Sequence, residues 1–360
     1  MTGPFPNPPP YLRGKIRSID HNAQALRGNP WGDPTHRDLW VYTPPGYGTD
    51  NTKYPVIMVL PGFAGTGEGM LSRSLTDISL AHRIDYLIAG NNEHGKEIEP
   101  CPPFIAVLPD VMSSLGGTQF LDSPGIGNYA SWLMNEVRPF IDGRLQTNGR
   151  WGATGRSSGG FGALSLAMRH PDAFSAVACH AGDMGFDLCY LADLPKALGP
   201  IRVAGGPMNF VAEFWKKRRF SSGEFAAMNV LCMAAAYDPA DHCAPGTFPG
   251  TLPFDIDTGA IDFEAYHRWS RHDPLRCIDD PSAQAALKAL DLLFIDAGAF
   301  DEYHLQLGAR RFVQKLKTHN IHHIHEEFNG GHRGTSWRYD ISLPMMARAL
   351  TNPPGPKVCA

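Results

Sequence analysis

The sequence has no C-x-x-C pair, and its seven cysteines make an odd set. A disulfide framework or a zinc site would need paired thiols at close spacing. Cys101, Cys179, Cys189, Cys232, Cys243, Cys277 and Cys359 therefore read as free structural or incidental thiols of a reducing compartment, although one or two bridges stay compatible. Positive charge is not in excess either: 32 Lys and Arg face 36 Asp and Glu, a formal balance of −4. The chain as a whole offers no field for nucleic acid or an anionic membrane, and a small neutral or weakly charged ligand is easier to accommodate. No run approaches the roughly 18 apolar residues of a membrane span. The start, MTGPFPNPPPYLRG, lacks the basic and apolar regions of a secretory leader. The expectation is a cytoplasmic protein with a small-molecule partner and neither nucleic acid nor membrane; a homo-oligomer stays open.

What is present is material for a core. Hydrophobic residues make up 43% of 360 and charged ones 19%, the balance of a folded globule. After a Pro- and Gly-rich arm over 1–12, Arg37 to Thr43 reads as a strand that ends at Pro44 and Pro45. Tyr54 to Leu60 (YPVIMVL) and Phe104 to Leu108 (FIAVL) are continuous apolar runs of the kind shown by strands covered on both faces. Asn128 to Ile141 has helical spacing despite Pro139. Trp151 to Thr154, Phe174 to Cys179 and Leu292 to Ile295 read as further strands, with helices over Gly159 to Arg169 and Leu305 to Lys317. Such alternation means crossovers and a mostly parallel central sheet flanked by helices. Between 184 and 290 the alternation breaks down into short helical segments rich in Pro, Gly, Trp and Phe. This stretch reads as a lid or cap over the carboxyl edge of the sheet, dividing a core of 1–183 and 291–360; the plainer alternative is a packing module remote from any site.

Gly155-Arg156-Ser157-Ser158-Gly159 matches G-x-S-x-G, a sharp strand-to-helix turn that exposes a serine hydroxyl while glycines let the two backbones approach. Register selects Ser157 as nucleophile, and the backbone N–H of Ser158 then points where an oxyanion would form. The second donor is assigned to the N–H of Phe63, in the PGFAG turn that follows YPVIMVL. A flexible turn and a phosphate cradle are the other readings of PGFAGTGEG, and no G-K-[ST] follows to support the cradle. A serine needs a histidine base, and the histidine needs a carboxylate. Downstream, in the order acid then histidine, Asp301 follows the strand LLFI, and His332 sits among Gly330, Gly331 and Gly334 after IHHIHEEF. Glu302 and Asp296 are reserve acids; Asp296 reads more as a strand-end residue that positions the loop.

These pieces resemble the esterase D family of α/β-hydrolases: VYTPPGY, YPVIMVLPGF, GRSSGGFGAL, HPDAFSAV, GAFDE and GGH span most of the chain outside the insertion. The family includes S-formylglutathione hydrolases, feruloyl and acetylxylan esterases, siderophore esterases and mycolyltransferases. The resemblance implies the α/β-hydrolase fold and a serine carboxylic-ester hydrolase working through an acyl-enzyme. Its nucleophile would fall on Ser157, acid on Asp301, base on His332 and oxyanion donors on Phe63 and Ser158, with no cofactor and no metal. The chain departs from common members in having Pro61-Gly62 before the oxyanion residue and Ser158 at the elbow, which leaves the backbone donors in place and the substrate unspecified. The same triad would also serve an acyltransferase or thioesterase, and an inactive binding protein with this fold is the alternative from outside enzymology.

Other features are weighed individually. Arg156, His180, Asp183 and Trp337 are candidate substrate-binding residues, and Trp215 and Trp269 could join Trp337 in an aromatic wall or be simple packing. Lys216 to Arg219 (KKRR) reads as a charged helix face, with an anion-binding role as the alternative. His322, His323 and His325 read as a hydrated strand edge rather than a metal site.

Overall fold

The computed structural model describes residues 13–72, 77–92, 95–240 and 246–352. The arm over 1–12, Cys243 and Cys359 lie outside them. Eight strands form one sheet: β1 (Lys15–Asn22), β2 (His36–Thr43), β3 (Tyr54–Leu60), β4 (Ile105–Pro109), β5 (Thr147–Arg156), β6 (Ala176–His180), β7 (Leu292–Gly298) and β8 (Ile324–Phe328). Their order across the sheet is β1-β2-β4-β3-β5-β6-β7-β8. Strands β1 and β2 run antiparallel, and every pair from β4 through β8 is parallel. The expected α/β fold with a mostly parallel sheet is the observed one.

The continuous apolar runs are explained by cover on both faces. All seven residues of β3 are buried, yet Val56, Met58 and Leu60 belong to one hydrophobic cluster while Ile57 and Val59 belong to another, as the two-residue period of a strand requires. The second cluster is capped by α1 (Leu80–Ile88) and the C-terminal helix Tyr339–Thr351. The first is covered by α2 (Ser158–Arg169) and by the helical run that begins at Tyr129. That run differs from the regular helix expected over Asn128 to Ile141: a π-helical stretch, Trp132–Val137, interrupts it before Arg138–Arg144. Pro139 has no N–H to give Asn135, and a widened turn absorbs the lost bond. The strand at Trp151 is longer than expected: it begins at Thr147, which pairs with Tyr54, and an irregularity over Asn148 to Arg150 precedes the pairing of Trp151 with Val56.

Within 184–290 lie α3 (Leu194–Val203), α4 (Pro207–Phe214), α5 (Ser222–Tyr237), α6 (Phe263–Ser270) and α7 (Pro281–Ala289). Their apolar residues, Ile201, Phe214, Leu231 and Trp269 among them, join the same cluster as β3 and β5. The KKRR run corrects the expectation of a helix face. Helix α4 ends at Phe214, and a capping box between Ser221 and Glu224 starts α5 afresh, leaving Lys216 to Arg219 as an exposed turn between two helices. Helix α8 (Leu305–Thr318) joins β7 to β8, and the C-terminal helix is α9 (Tyr339–Thr351). Because β3, β5, β7 and β8 are parallel, the loops after Leu60, Arg156, Gly298 and Phe328 all emerge at one edge, and those loops carry Phe63, Ser157, Asp301 and His332. No described helix is long and apolar enough to cross a membrane.

Candidate active site

Ser157 sits between β5 and α2 with φ 58° and ψ −128°. A non-glycine residue there costs about 1–3 kcal/mol and persists only where its surroundings fix it. Here the Ser157 N–H donates to the His180 carbonyl at 2.9 Å, and the Ser157 carbonyl accepts from the Phe161 N–H at 3.0 Å. The glycines follow from close approach. A Cβ on Gly159 would lie 2.1 Å from the Leu60 carbonyl oxygen, and one on Gly155 would lie 2.5 Å from Gly159. Strand β3, the elbow and α2 can touch only because both positions lack a side chain.

Asp301 and His332 meet directly. The His332 Nδ1 lies 2.8 Å from Asp301 Oδ2, and the other Asp301 oxygen accepts from the Tyr303 N–H at 2.9 Å. Asp301 is buried, His332 is largely so, and the Tyr303 ring stands edge-on to the imidazole with centroids 4.8 Å apart. Glu302, the reserve acid, takes a different place: its carboxylate accepts from the His332 backbone N–H at 2.6 Å. That bond holds its pKa below the ordinary carboxylate value. A Cβ on Gly331 would strike this carboxylate at 2.9 Å, so the GGH turn is shaped around Glu302.

Asp296, the second reserve acid, sits far from solvent at the end of β7, where it bonds His180 Nδ1 at 2.8 Å and Arg338 Nε at 2.6 Å. His180 Nε2 in turn lies 2.8 Å from the hydroxyl of Ser342 on α9. This corrects the placing of His180 among substrate contacts. Its ring points back into the protein, and only its carbonyl reaches the elbow. Neither Ser342 nor Arg338 carries a sequence signal for this role, since each acts through tertiary contact alone.

Ser157, Phe63, Ser158, Arg156, Asp183 and His332 line one cavity of about 600 Å3, within the range that binds small molecules. Ser157 Oγ makes no hydrogen bond among the described residues; catalytic hydrogen bonds often tighten only when substrate binds. The N–H groups of Phe63 and Ser158 have no protein acceptor among the described residues either. Ser158 opens α2, where such donors are left over by the helix. Its hydroxyl donates to Asp183 Oδ2 at 3.0 Å, and Tyr190 donates to the same oxygen at 2.9 Å. Burial pushes the Asp183 carboxyl above its ordinary pKa.

Trp337 does not reach the cavity: its ring packs against Phe328 and under Arg338. Trp215 donates to the Ser114 carbonyl and Trp269 to that of Thr251, both away from the lining. The aromatic wall is instead built from Phe63, Phe220, Phe225, Tyr190 and Tyr303. Tyr303 adjoins the acid in sequence and was findable there; Phe220 and Phe225 depend on how α5 lies across the cavity. Lys196, Phe225 and Asn229 bring 184–290 onto the cavity wall. His325 is partly buried on the edge strand β8 and His323 partly buried just before it, and the described residues hold no cluster that could bind a metal.

The family described as Putative esterase matches residues 34–347. No curated protein matches the sequence. Three solved structures resemble the chain in fold. A ferulic acid esterase from Anaeromyces mucronatus in complex with ferulic acid shares 16% identity at a TM-score of 0.52, over 94% of this chain and 92% of that one. An S-formylglutathione hydrolase from Agrobacterium tumefaciens shares 15% at 0.54, over 94% and 96%. The fluorophosphonate-binding serine hydrolase F of Staphylococcus aureus shares 15% at 0.55, over 93% and 98%.

Proposed function

The chain belongs to the Putative esterase family and is a carboxylic-ester hydrolase of the α/β-hydrolase fold; from that premise we propose that it is a serine esterase whose nucleophile is Ser157. The observation that carries the reading is the strained elbow of Ser157 on the same cavity as the bonded pair His332 and Asp301. With Nδ1 engaged by Asp301, His332 keeps Nε2 for the serine proton. Ser157 Oγ bonds to the ester carbonyl carbon as His332 takes its proton, and the carbonyl oxygen gathers negative charge. The N–H groups of Phe63 and Ser158 receive that oxygen. Collapse expels the alcohol, which leaves with the proton from His332, and a water repeats the sequence to release the acid.

Residues 184–290 act as a cap over this site, a reading supported by the α3 and α5 side chains on the cavity wall. Cys101, Cys179, Cys189, Cys232 and Cys277 are free thiols, which favours a reducing, cytoplasmic setting. The substrate is a small or medium ester. The test is hydrolysis of short-chain p-nitrophenyl esters together with labelling by a fluorophosphonate probe. Wild-type enzyme should do both and Ser157→Ala neither; a labelled Ser157→Ala protein would move the nucleophile elsewhere.

A further inference from the structure

We infer that the ester bears an anionic group, a carboxylate or a phosphate, held by Arg156 inside the cavity and Arg333 at its rim. The inference rests on the esterase reading above and adds the substrate class. Three cationic side chains line the cavity, Arg156, Lys196 and Arg333, against two carboxylates, Asp183 and Asp193. Lys196 and Asp193 cancel one another at 2.7 Å. Asp183 is buried, with three donors converging on one of its oxygens, Ser158, Tyr190 and Gln119. Glu302, the acid nearest the histidine turn, is committed to the His332 N–H.

That leaves two guanidinium groups with no direct ion pair to a carboxylate among the described residues, although the charge of Arg333 is felt by Glu302. Arg156 spends one of five donors on the Thr335 hydroxyl, at 3.1 Å. It also adjoins the nucleophile in the chain, so an anion on its free donors lies close to the reacting carbonyl. Arg333 follows the histidine and is exposed. Outside the mouth, Lys216 and Lys217 are paired with Glu213 and Glu224, whereas Arg218 and Arg219 are exposed with no carboxylate partner among the described residues. Their turn runs straight into Phe220 and Ser221 of the cavity wall.

In a chain of net charge −4, two arginines on one cavity without an ion-paired carboxylate among the described residues are a local feature and not a general basic surface. A partly desolvated guanidinium gains most from a planar or tetrahedral anion that takes two of its N–H groups at once. A rim of like charge also steers such an ester toward the mouth.

Matched ester pairs test this. p-Acetoxybenzoate against p-acetoxybenzamide places a carboxylate on the alcohol side. p-Acetoxyphenyl phosphate places a phosphate there, and mono-p-nitrophenyl glutarate against p-nitrophenyl pentanoate places a carboxylate on the acyl side. With kcat/KM normalised to each ester's alkaline hydrolysis, the charged member of at least one pair should lead by about tenfold or more at low salt, and the lead should shrink as salt rises. Arg156→Gln should bring the ratio toward one, and Arg333→Gln, on an exposed loop where folding is not at stake, should lower it in part. A ratio of one or less in every pair, with the neutral esters still turned over, overturns the anionic inference and leaves the esterase reading standing. So does a ratio that neither variant moves. Failure to hydrolyse any ester removes both.

Discussion

Two sets of Ser, His and Asp stand out among the described residues, one proposed as the catalytic triad and one buried behind it. Around the cavity, His332 bonds Asp301 at 2.8 Å and Ser157 stands on the same wall, its hydroxyl without a hydrogen bond among the described residues. Behind the elbow, Ser342, His180 and Asp296 are joined in an unbroken chain, 2.8 Å at each link, and all three are buried. Hydrogen bonding alone would pick the second set. Access and backbone geometry pick the first: Ser157 is on a strained turn facing space, whereas Ser342 lies inside α9 with 0% exposure. The buried set instead ties β6 to β7 and α9, and through the His180 carbonyl it pins the Ser157 N–H. On the proposed reading, one arrangement of side chains serves chemistry or architecture according to whether a substrate can reach it.

Exchanging serines breaks the comparison most strongly. Ser157→Ala should lower kcat by about five to six orders of magnitude with little change in Tm. Ser342→Ala should keep kcat/KM within about threefold and cost about 1–3 kcal/mol of stability, because His180 Nε2 is left without its partner. Loss of activity in Ser342→Ala with an unchanged Tm would reverse the two roles. The acids follow. Asp301→Asn should cost about 10^4 in kcat by presenting the wrong imidazole tautomer. Asp296→Asn should act on folding, since Arg338 and His180 would lose a buried countercharge worth about 3–5 kcal/mol when broken from one side. Chemical denaturation beside steady-state kinetics separates the two.

A third histidine sharpens the distinction. His272 follows α6, stacks on Tyr237 with ring centroids 5.2 Å apart, and is pushed down to a pKa of about 4, first by burial and then by Arg169. Since this folded value lies below the unfolded one near 6.5, the unfolded chain takes up its proton first as pH falls. The stability that neutral His272 contributes is therefore whole above about pH 6.5, is lost through the window down to about pH 4, and changes no further below it. The full loss is about 3 kcal/mol. In His272→Gln the denaturation free energy should fall less steeply across that window than in wild type; equal slopes would mean His272 does not titrate there.

The sequence resolved the parts of the site that local geometry dictates. The elbow was legible because Gly155 and Gly159 have no alternative where strand and helix backbones come within contact, and the Asp301 and His332 loops were legible from chain order after two apolar strands. The strands β3 and β4 announced themselves by unbroken apolar runs, since both faces are covered. What stayed hidden depends on distant residues. Nothing near His180 tells that Ser342, 162 positions on, turns its ring inward, and Trp337 is drawn to Phe328 and Arg338 rather than to the cavity. The path of α5 across the opening, which brings Phe220 and Phe225 to the wall, is set by tertiary packing of α3 and α5. The helix face expected for KKRR failed on a local signal that was present, the Ser221 to Glu224 capping box.

The smallest effect concerns Glu302, which stands next to Asp301 in sequence and could be mistaken for the acid. Its carboxylate never meets the imidazole ring; it receives the backbone N–H of His332 and so sets the height of the turn on which the ring is carried. A glutamine keeps an acceptor oxygen there but loses the charge that strengthens the bond, a difference of about 1 kcal/mol. Glu302→Gln should therefore reduce kcat by about three- to tenfold, read by steady-state kinetics beside Asp301→Asn. A loss comparable to that of Asp301→Asn would transfer the acid to Glu302.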